Sequence, residues 1–200
     1  MDAFENLVAS LLEREGYWVR ARFKVNLTRE EKRKIGRSSS PRWELDIVAY
    51  KGDTNEVRVV ECKSYLDSRG VTFRDLAFPD SERPNLYKLF NDDALRAVVF
   101  DRLMSQLVEA GSCKPDPTVR LCLAAGTIAT ETDREQLSQH FDRNGWILLD
   151  RRWLVDALKT AADGGFEDDV ASVVAKLILR PSAGRHRRSA VARERVRLLK

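Results

Sequence analysis

The spacing of apolar residues changes along the chain and predicts its secondary structure. Residues 4–12 place apolar side chains at i, i+3, i+4, i+7 and i+8, the pattern of a helix face, and Gly16 stands where this helix would end. Residues 18–25 alternate between apolar and basic side chains, which predicts a strand with one exposed face. Two apolar segments at 43–50 and 56–64, joined by a short polar turn, predict a β-hairpin.

The rest of the chain alternates predicted helices and strands. Two polar segments rich in Gly, Pro or Ser, 28–42 and 65–85, are expected to be irregular loops. The remaining predicted elements are a helix at 91–110, a strand at 119–125, a helix at 131–144, a strand at 146–149, and helices at 151–162 and 168–179. The order α-β-β-β-α-β-α-β-α-α predicts an α/β fold with a mixed sheet that is antiparallel at its start, and we expect residues 1–179 to form a single domain.

Composition narrows the class of protein. The chain has 200 residues, of which 43% are apolar and 33% charged, so it can build a core but offers no apolar stretch long enough for a membrane span. The N-terminus has no basic segment before an apolar one, so we expect no signal peptide. Three cysteines without CxxC spacing argue against a zinc site or a disulfide framework and favour the cytoplasm.

Charge is distributed unevenly. Residues 180–200 contain eight Arg or Lys and one Glu, a net charge of +7, so the remaining residues carry −3 of the total of +4. We predict that this segment is a basic C-terminal tail or helix, either binding nucleic acid or exposing a solvated face. The candidate contacts in the tail are Arg185, Arg187 and Arg188.

The predicted hairpin carries residues suited to phosphodiester hydrolysis. Asp46 lies on its first strand, and the triplet Glu61-Cys62-Lys63 lies on its second. Alternate residues of a strand share a face, so Glu61 and Lys63 point the same way. Buried acids are costly, and carboxylates are ligands of Mg²⁺ or Mn²⁺, which activates water for attack on a phosphate. We predict a metal site formed by Asp46, Glu61 and the backbone carbonyl of Cys62, with Lys63 beside it.

Two alternatives stay open for these residues. Lys63 and one acid could form a buried salt bridge without catalytic function. Glu5 falls on the rim of the buried face of the first helix, where it could join the site or complement the helix dipole.

The combination of a helix with Glu5, a strand with Asp46 and a strand with Glu61-x-Lys63 resembles the PD-(D/E)xK, or restriction-endonuclease-like, nuclease superfamily. The segment LDIVAY is similar to the corresponding strand of its Mrr-type and archaeal Holliday-junction-resolvase branches, although Leu45 stands where the family has proline. The resemblance implies a restriction-endonuclease-like fold, a Mg²⁺-dependent endonuclease activity, and catalytic roles for Glu5, Asp46, Glu61 and Lys63.

Two basic segments flank the predicted site and favour a nucleic-acid partner, most simply DNA. A non-catalytic nucleic-acid-binding or assembly module and an RNA nuclease remain alternatives, and the apolar face of the helix at 168–179 could form a homodimer. The candidate contacts in these segments are Arg20, Arg22, Lys24, Lys32, Arg33, Lys34, Arg37 and Arg42.

Overall fold

A computed structural model describes residues 2–36, 42–78, 86–165 and 169–180. The chain groups into two compact units, residues 1–157 and residues 158–200. The first unit contains the sheet and all predicted catalytic residues. The second contains the end of the seventh helix and the whole of the eighth.

Five strands form one mixed sheet in sequence order, which confirms the predicted α/β fold with an antiparallel start. The first three strands pair antiparallel; residues 52–55 form a tight turn between the second and third strands, whereas a longer segment that contains a short helix joins the first to the second. The next two pairs are parallel, because helices carry the chain back across the sheet. The strands are β1 (Trp18–Val25), β2 (Trp43–Lys51), β3 (Glu56–Lys63), β4 (Thr118–Ala125) and β5 (Ile147–Leu149).

Helices flank the sheet, and their ends follow local sequence signals. The first helix begins with a capping box between Asp2 and Glu5, and the sixth ends at Gly145, whose φ of 67° suits glycine. The helices are α1 (Ala3–Arg14), α2 (Arg29–Lys34), α3 (Phe73–Ala77), α4 (Lys88–Asn91), α5 (Asp93–Glu109), α6 (Glu131–Asn144), α7 (Arg151–Asp163) and α8 (Val170–Leu179).

The main apolar core joins β2, β3 and β4 to the helices of the first unit. Val59 and Leu121, which pair across β3 and β4, are both almost fully buried. Leu103 of α5 and Phe141 of α6 belong to the same buried cluster. Because each such side chain contributes roughly 1.5–3 kcal/mol on burial, this cluster can support costly charges at one end of the sheet.

The two segments predicted to be wholly irregular were predicted wrongly in part. Segment 28–42 contains α2, and segment 65–85 contains α3. In α2 the Thr28 hydroxyl accepts the Glu31 N–H at 3.2 Å while the Glu31 carboxylate accepts the Thr28 N–H at 2.7 Å. Glu31 also binds Arg102 of α5 at 2.6 Å, and this ion pair lowers the pKa of Glu31. The spacing Thr-x-x-Glu at residues 28–31 is the sequence signature of a capping box, although the polar composition of the segment indicated a loop.

The helix α8 exposes apolar side chains. Val170, Leu177 and Ile178 are each more than 70% exposed. The suggested homodimer through this helix stays a prediction. None of the helices in the described ranges has the length and apolarity needed to cross a membrane.

We expect Gly126→Ala to disturb the end of β3. The Gly126 N–H donates to the Lys63 carbonyl at 3.0 Å, and a Cβ at this position would clash with the carbonyl oxygen of Ser64. The substitution should lower the free energy of unfolding by about 1–3 kcal/mol, measured by urea denaturation. Gly52→Ala is the control, since its Cβ would lie 3.8 Å from the nearest atom. Equal losses in both variants would contradict this account.

Candidate active site

The predicted site lies where the β2–β3 ladder ends. Backbone pairing in β2 runs from Lys51 to Ile47 and stops there. At the next residue the Oδ2 atom of Asp46 accepts a hydrogen bond of 2.8 Å from the Cys62 N–H. A side-chain oxygen thus satisfies the N–H group as the regular pairing ends, and this fixes the Asp46 carboxylate beside the end of β3.

Glu61 and Lys63 lie side by side, as the strand spacing predicted. Lys63 Nζ is 2.7 Å from Glu61 Oε1, and the two side chains are 18% and 21% exposed respectively. Their proximity is the salt bridge that the alternative interpretation required. An ion pair of this kind needs only one carboxylate, however, so the other acids remain to be explained.

Two further carboxylates act on Glu61. Burial raises the pKa of Glu61, the Lys63 ammonium opposes this effect, and the negative charges of Asp46 and Glu5 raise the pKa further. Burial alone would lower the pKa of Lys63, but Glu61 and Asp46 together raise it above its ordinary value. The site therefore brings three acids to one lysine, with an excess of negative charge when all are ionised.

Glu5 contributes to the cluster and also caps its own helix. Its carboxylate accepts the Asp2 N–H at 3.3 Å, while its own N–H donates to Asp2 at 2.8 Å. Burial and the negative charge of Asp46 raise the pKa of Glu5 against the lowering effect of the Asp2 N–H. Glu5 thus lies near the acids of the site, and as an acid in the first turn of α1 it also takes part in the capping box.

The thiol of Cys62 is buried, whereas its backbone N–H donates to the Asp46 carboxylate. Burial, followed by the nearby carboxylates of Asp46 and Glu5, raises the pKa of the thiol. The thiol therefore stays protonated at neutral pH and lacks the thiolate form of a nucleophile. The backbone carbonyl of Cys62 stays the predicted metal ligand.

The donors suit a hard divalent cation more than a soft one. Asp46, Glu61 and the Cys62 carbonyl offer oxygen atoms, and Mg²⁺ accepts a few such ligands while it keeps several waters. Within the part of the chain that the structure describes, no three His, Cys, Asp or Glu side chains form a metal-binding group by themselves. Water and substrate oxygens would have to complete the coordination.

Two tyrosines beside the acids were not predicted as site residues. Tyr87, only 2% exposed, forms a hydrogen bond with Tyr65. Burial first, then Tyr65, Asp75 and Glu61, raise the pKa of the Tyr87 phenol. Tyr65 follows the Glu-x-Lys triplet, but no spacing in the sequence indicates its pairing with Tyr87.

Basic side chains line a groove next to the site. Arg20, Arg22 and Lys24 are exposed on β1, as predicted, and with Gln106 and Ser112 they border a cavity of about 450 Å³. The residues Ala21 and Phe23 on either side of Arg22 pair with Ile47 and Leu45 on either side of Asp46, so Arg22 lies across from Asp46 on the neighbouring strand. The groove, defined by Arg20, Arg22 and Lys24, is called the β1 groove below.

Arg22 has two unusual features. Its φ is 53°, a conformation rare for a residue with a side chain, and its guanidinium lies 3.1 Å from Glu44. Trp18 at the start of β1 is 84% exposed. β1 is an edge strand of the sheet.

The other predicted nucleic-acid contacts are not among the residues that line the β1 groove. Arg33, Lys34 and Arg42 are exposed, Lys32 is half-buried, and Lys34 pairs with Glu30 at 3.8 Å. The last group lies outside the described residues: Arg37, Arg185, Arg187 and Arg188.

Comparison of the chain with protein-family models, with curated proteins and with solved structures found no match.

We expect Glu61→Gln to stabilise the metal-free protein at neutral pH. Because the folded pKa of Glu61 is raised, its protonation favours folding; this contribution is complete below about pH 4.3, the ordinary pKa of Glu, and is lost as pH rises through the raised value. The measurement is the free energy of unfolding against pH in EDTA.

The control for this experiment is Glu13→Gln, which changes an exposed acid on α1. A Glu61→Gln variant that is less stable than wild type at pH 7, while the control is unchanged, would show that the Lys63 ion pair outweighs the burial of the acid.

Proposed function

We propose that this protein is a divalent-metal-dependent endonuclease that hydrolyses phosphodiester bonds in DNA. The observation that carries the proposal is the cluster at the end of the β2–β3 ladder, where Lys63 pairs with Glu61 and the charges of Asp46 and Glu5 raise the pKa of Glu61. A structural ion pair accounts for one acid and the lysine. The additional acids raise the pKa of Glu61, an arrangement that is costly unless a cation also binds.

Each residue has a defined part in this proposal. Asp46, Glu61 and the Cys62 carbonyl would hold Mg²⁺ or Mn²⁺, which polarises the phosphate and lowers the pKa of water when bound. Lys63, held by Glu61 at 2.7 Å, would orient the attacking water or stabilise charge on the phosphate. Glu5 would add negative charge at the rim of the site.

The β1 groove supports nucleic acid as the substrate. It lies next to Asp46 across the sheet and carries three exposed basic side chains, which suit a phosphate backbone. The same arrangement of helix acid, hairpin acid and Glu-x-Lys strand supports assignment to the PD-(D/E)xK superfamily as part of the proposal.

One observation favours a second candidate, a nucleic-acid-binding module without catalysis. Lys63 and Glu61 already satisfy each other, and no metal-binding group of three side chains occurs among the residues described. In that case the β1 groove would bind nucleic acid while the acids stayed inert.

Cleavage of plasmid DNA, linear DNA, branched DNA and RNA in Mg²⁺, Mn²⁺ or EDTA tests the proposal. We expect metal-dependent DNA cleavage that Asp46→Asn and Lys63→Met each reduce by about a hundredfold or more, since each removes a charge at the reacting phosphate. Asn at position 46 keeps an oxygen that can accept the Cys62 N–H, so this variant should fold.

Glu13→Gln is the control for this assay and should cleave like wild type. Metal-dependent cleavage that survives both site substitutions would refute the assignment of the site. Salt-sensitive binding of DNA without cleavage of any substrate would favour the binding module.

The β1 groove generates a separate prediction. Arg20→Gln combined with Lys24→Gln should weaken DNA binding in EDTA and lower the slope of log affinity against log salt by about 2, because each phosphate contact contributes about 0.9. The matched control is Arg143→Gln with Arg151→Gln, two exposed cations elsewhere on the first unit. An unchanged slope in the groove variant would exclude the β1 groove as the contact surface.

A further inference from the structure

A second cavity lies beside the candidate site and has a polar lining. Its volume is about 310 Å³, near the lower end of the roughly 300–1,000 Å³ of pockets that hold small molecules. Tyr65, two residues after Lys63, forms part of its wall. The residues of this cavity that matter below are Tyr65, Arg69, Thr72, Arg74, Asp75 and Asp133, and it is called the Arg69–Arg74 pocket.

Hydrogen bonds hold the walls of this pocket in place. The Val71 N–H donates to the Thr127 carbonyl at 3.0 Å, and the Ala129 N–H donates to the Val71 carbonyl at 2.9 Å. Gly70, with a φ of 93°, lies so close to Thr127 that a Cβ would come within 2.8 Å of the Thr127 carbonyl oxygen. The pocket is therefore built on a strand-like bridge to the segment after β4.

One of the two acids in the pocket is already engaged. Asp133 Oδ1 accepts the Phe73 N–H at 2.9 Å, and its Oδ2 accepts the Thr130 hydroxyl at 2.6 Å. Its charge is thus used to join α3 to the start of α6. Asp75 differs, because only its backbone N–H is engaged, with the Thr72 hydroxyl at 3.1 Å.

The pocket contains cations without a partner. Neither the Arg69 nor the Arg74 guanidinium has an ion pair or hydrogen bond to any described residue. Two guanidinium groups that line one cavity favour an anion, and phosphate oxygens match their paired donors. Asp75 would repel a simple anion, so the ligand must also offer a hydrogen-bond donor.

We propose that the Arg69–Arg74 pocket receives one nucleotide of the substrate strand, next to the phosphate at the candidate active site. Arg69 and Arg74 bind a phosphate of that nucleotide, and Asp75 accepts a hydrogen bond from its base or sugar. The cavity volume of about 310 Å³ lies in the range of pockets that hold small ligands, of which a single nucleotide is one. This inference rests on the proposed function, because it takes the ligand to be nucleic acid.

The position of Tyr65 connects the pocket to the reacting phosphate. Tyr65 has a φ of 41° and forms a hydrogen bond with Tyr87, and Tyr87 is close enough to Glu61 for that carboxylate to raise the pKa of the Tyr87 phenol. Because Tyr65 follows Lys63 by two residues and lines the pocket, a nucleic-acid strand with a phosphate at Lys63 would pass close to the pocket.

The test measures binding of a labelled single-stranded DNA oligonucleotide, and of RNA with the same sequence, by fluorescence anisotropy in EDTA. Arg69→Gln combined with Arg74→Gln should weaken binding about tenfold or more, because charge-assisted hydrogen bonds to phosphate are lost. The matched control is again Arg143→Gln with Arg151→Gln, which should change affinity less than threefold or so by lowering net charge alone.

Asp75→Asn separates a nucleotide site from a simple anion site. If Asp75 accepts a hydrogen bond from the nucleotide, the variant binds more weakly; if the pocket only attracts phosphate, removing the negative charge strengthens binding and overturns the proposal. A loss confined to RNA identifies the sugar 2′-hydroxyl as the donor, whereas an equal loss on both strands identifies the base.

The outcomes distinguish this inference from the proposed function. If the pocket variants selectively weaken DNA binding but the wild-type protein cleaves no substrate, the nucleotide pocket is supported and the endonuclease function is refuted. If the protein cleaves DNA, and the pocket variant and its control change cleavage and binding equally, the endonuclease function is supported and the nucleotide pocket is refuted.

Discussion

The hydrogen bond from the Cys62 N–H to the Asp46 carboxylate is the contact on which the arrangement of the site depends. It forms where regular pairing between β2 and β3 stops, so a carboxylate instead of a carbonyl satisfies the backbone. Arg22, across from Asp46 on the other side, has a left-handed backbone at the same level. Both irregularities occur at the level of Asp46, where the acids gather, so the site coincides with the irregular end of the β2–β3 ladder.

Charge at this end of the sheet has an energetic cost that the rest of the fold must offset. The raised pKa of Glu61 shows that burial and like charge outweigh its attraction to Lys63. Val59, two residues before Glu61 on β3, and its partner Leu121 on β4 are buried and belong to an extensive apolar cluster. The free energy gained from hydrophobic burial is far larger than the net stability of a domain. The fold can therefore tolerate the local cost of burying the Glu61 charge.

The sequence predicts the parts of the site that depend on strand periodicity and fails for those that depend on tertiary pairing. Glu61 and Lys63 share a face because alternate strand residues always do, and the hairpin turn brings Asp46 to them. The contact between Tyr65 and Tyr87 links residues on either side of α3, so no local pattern could predict it. The capping box of α2 was present in the sequence, but polar composition outweighed it in the prediction of a loop.

Opposite charges are separated in space around the site. Asp46, Glu61 and Glu5 lie together, while the cations of the β1 groove and of the Arg69–Arg74 pocket lie around them. Such a surface attracts a polyanion to its rim but repels a phosphate from its centre, because Lys63 is already paired with Glu61. A phosphate could approach the acids only if a divalent cation bound between them. The same distribution of charge thus argues for both parts of the proposed function, a nucleic-acid substrate and a metal.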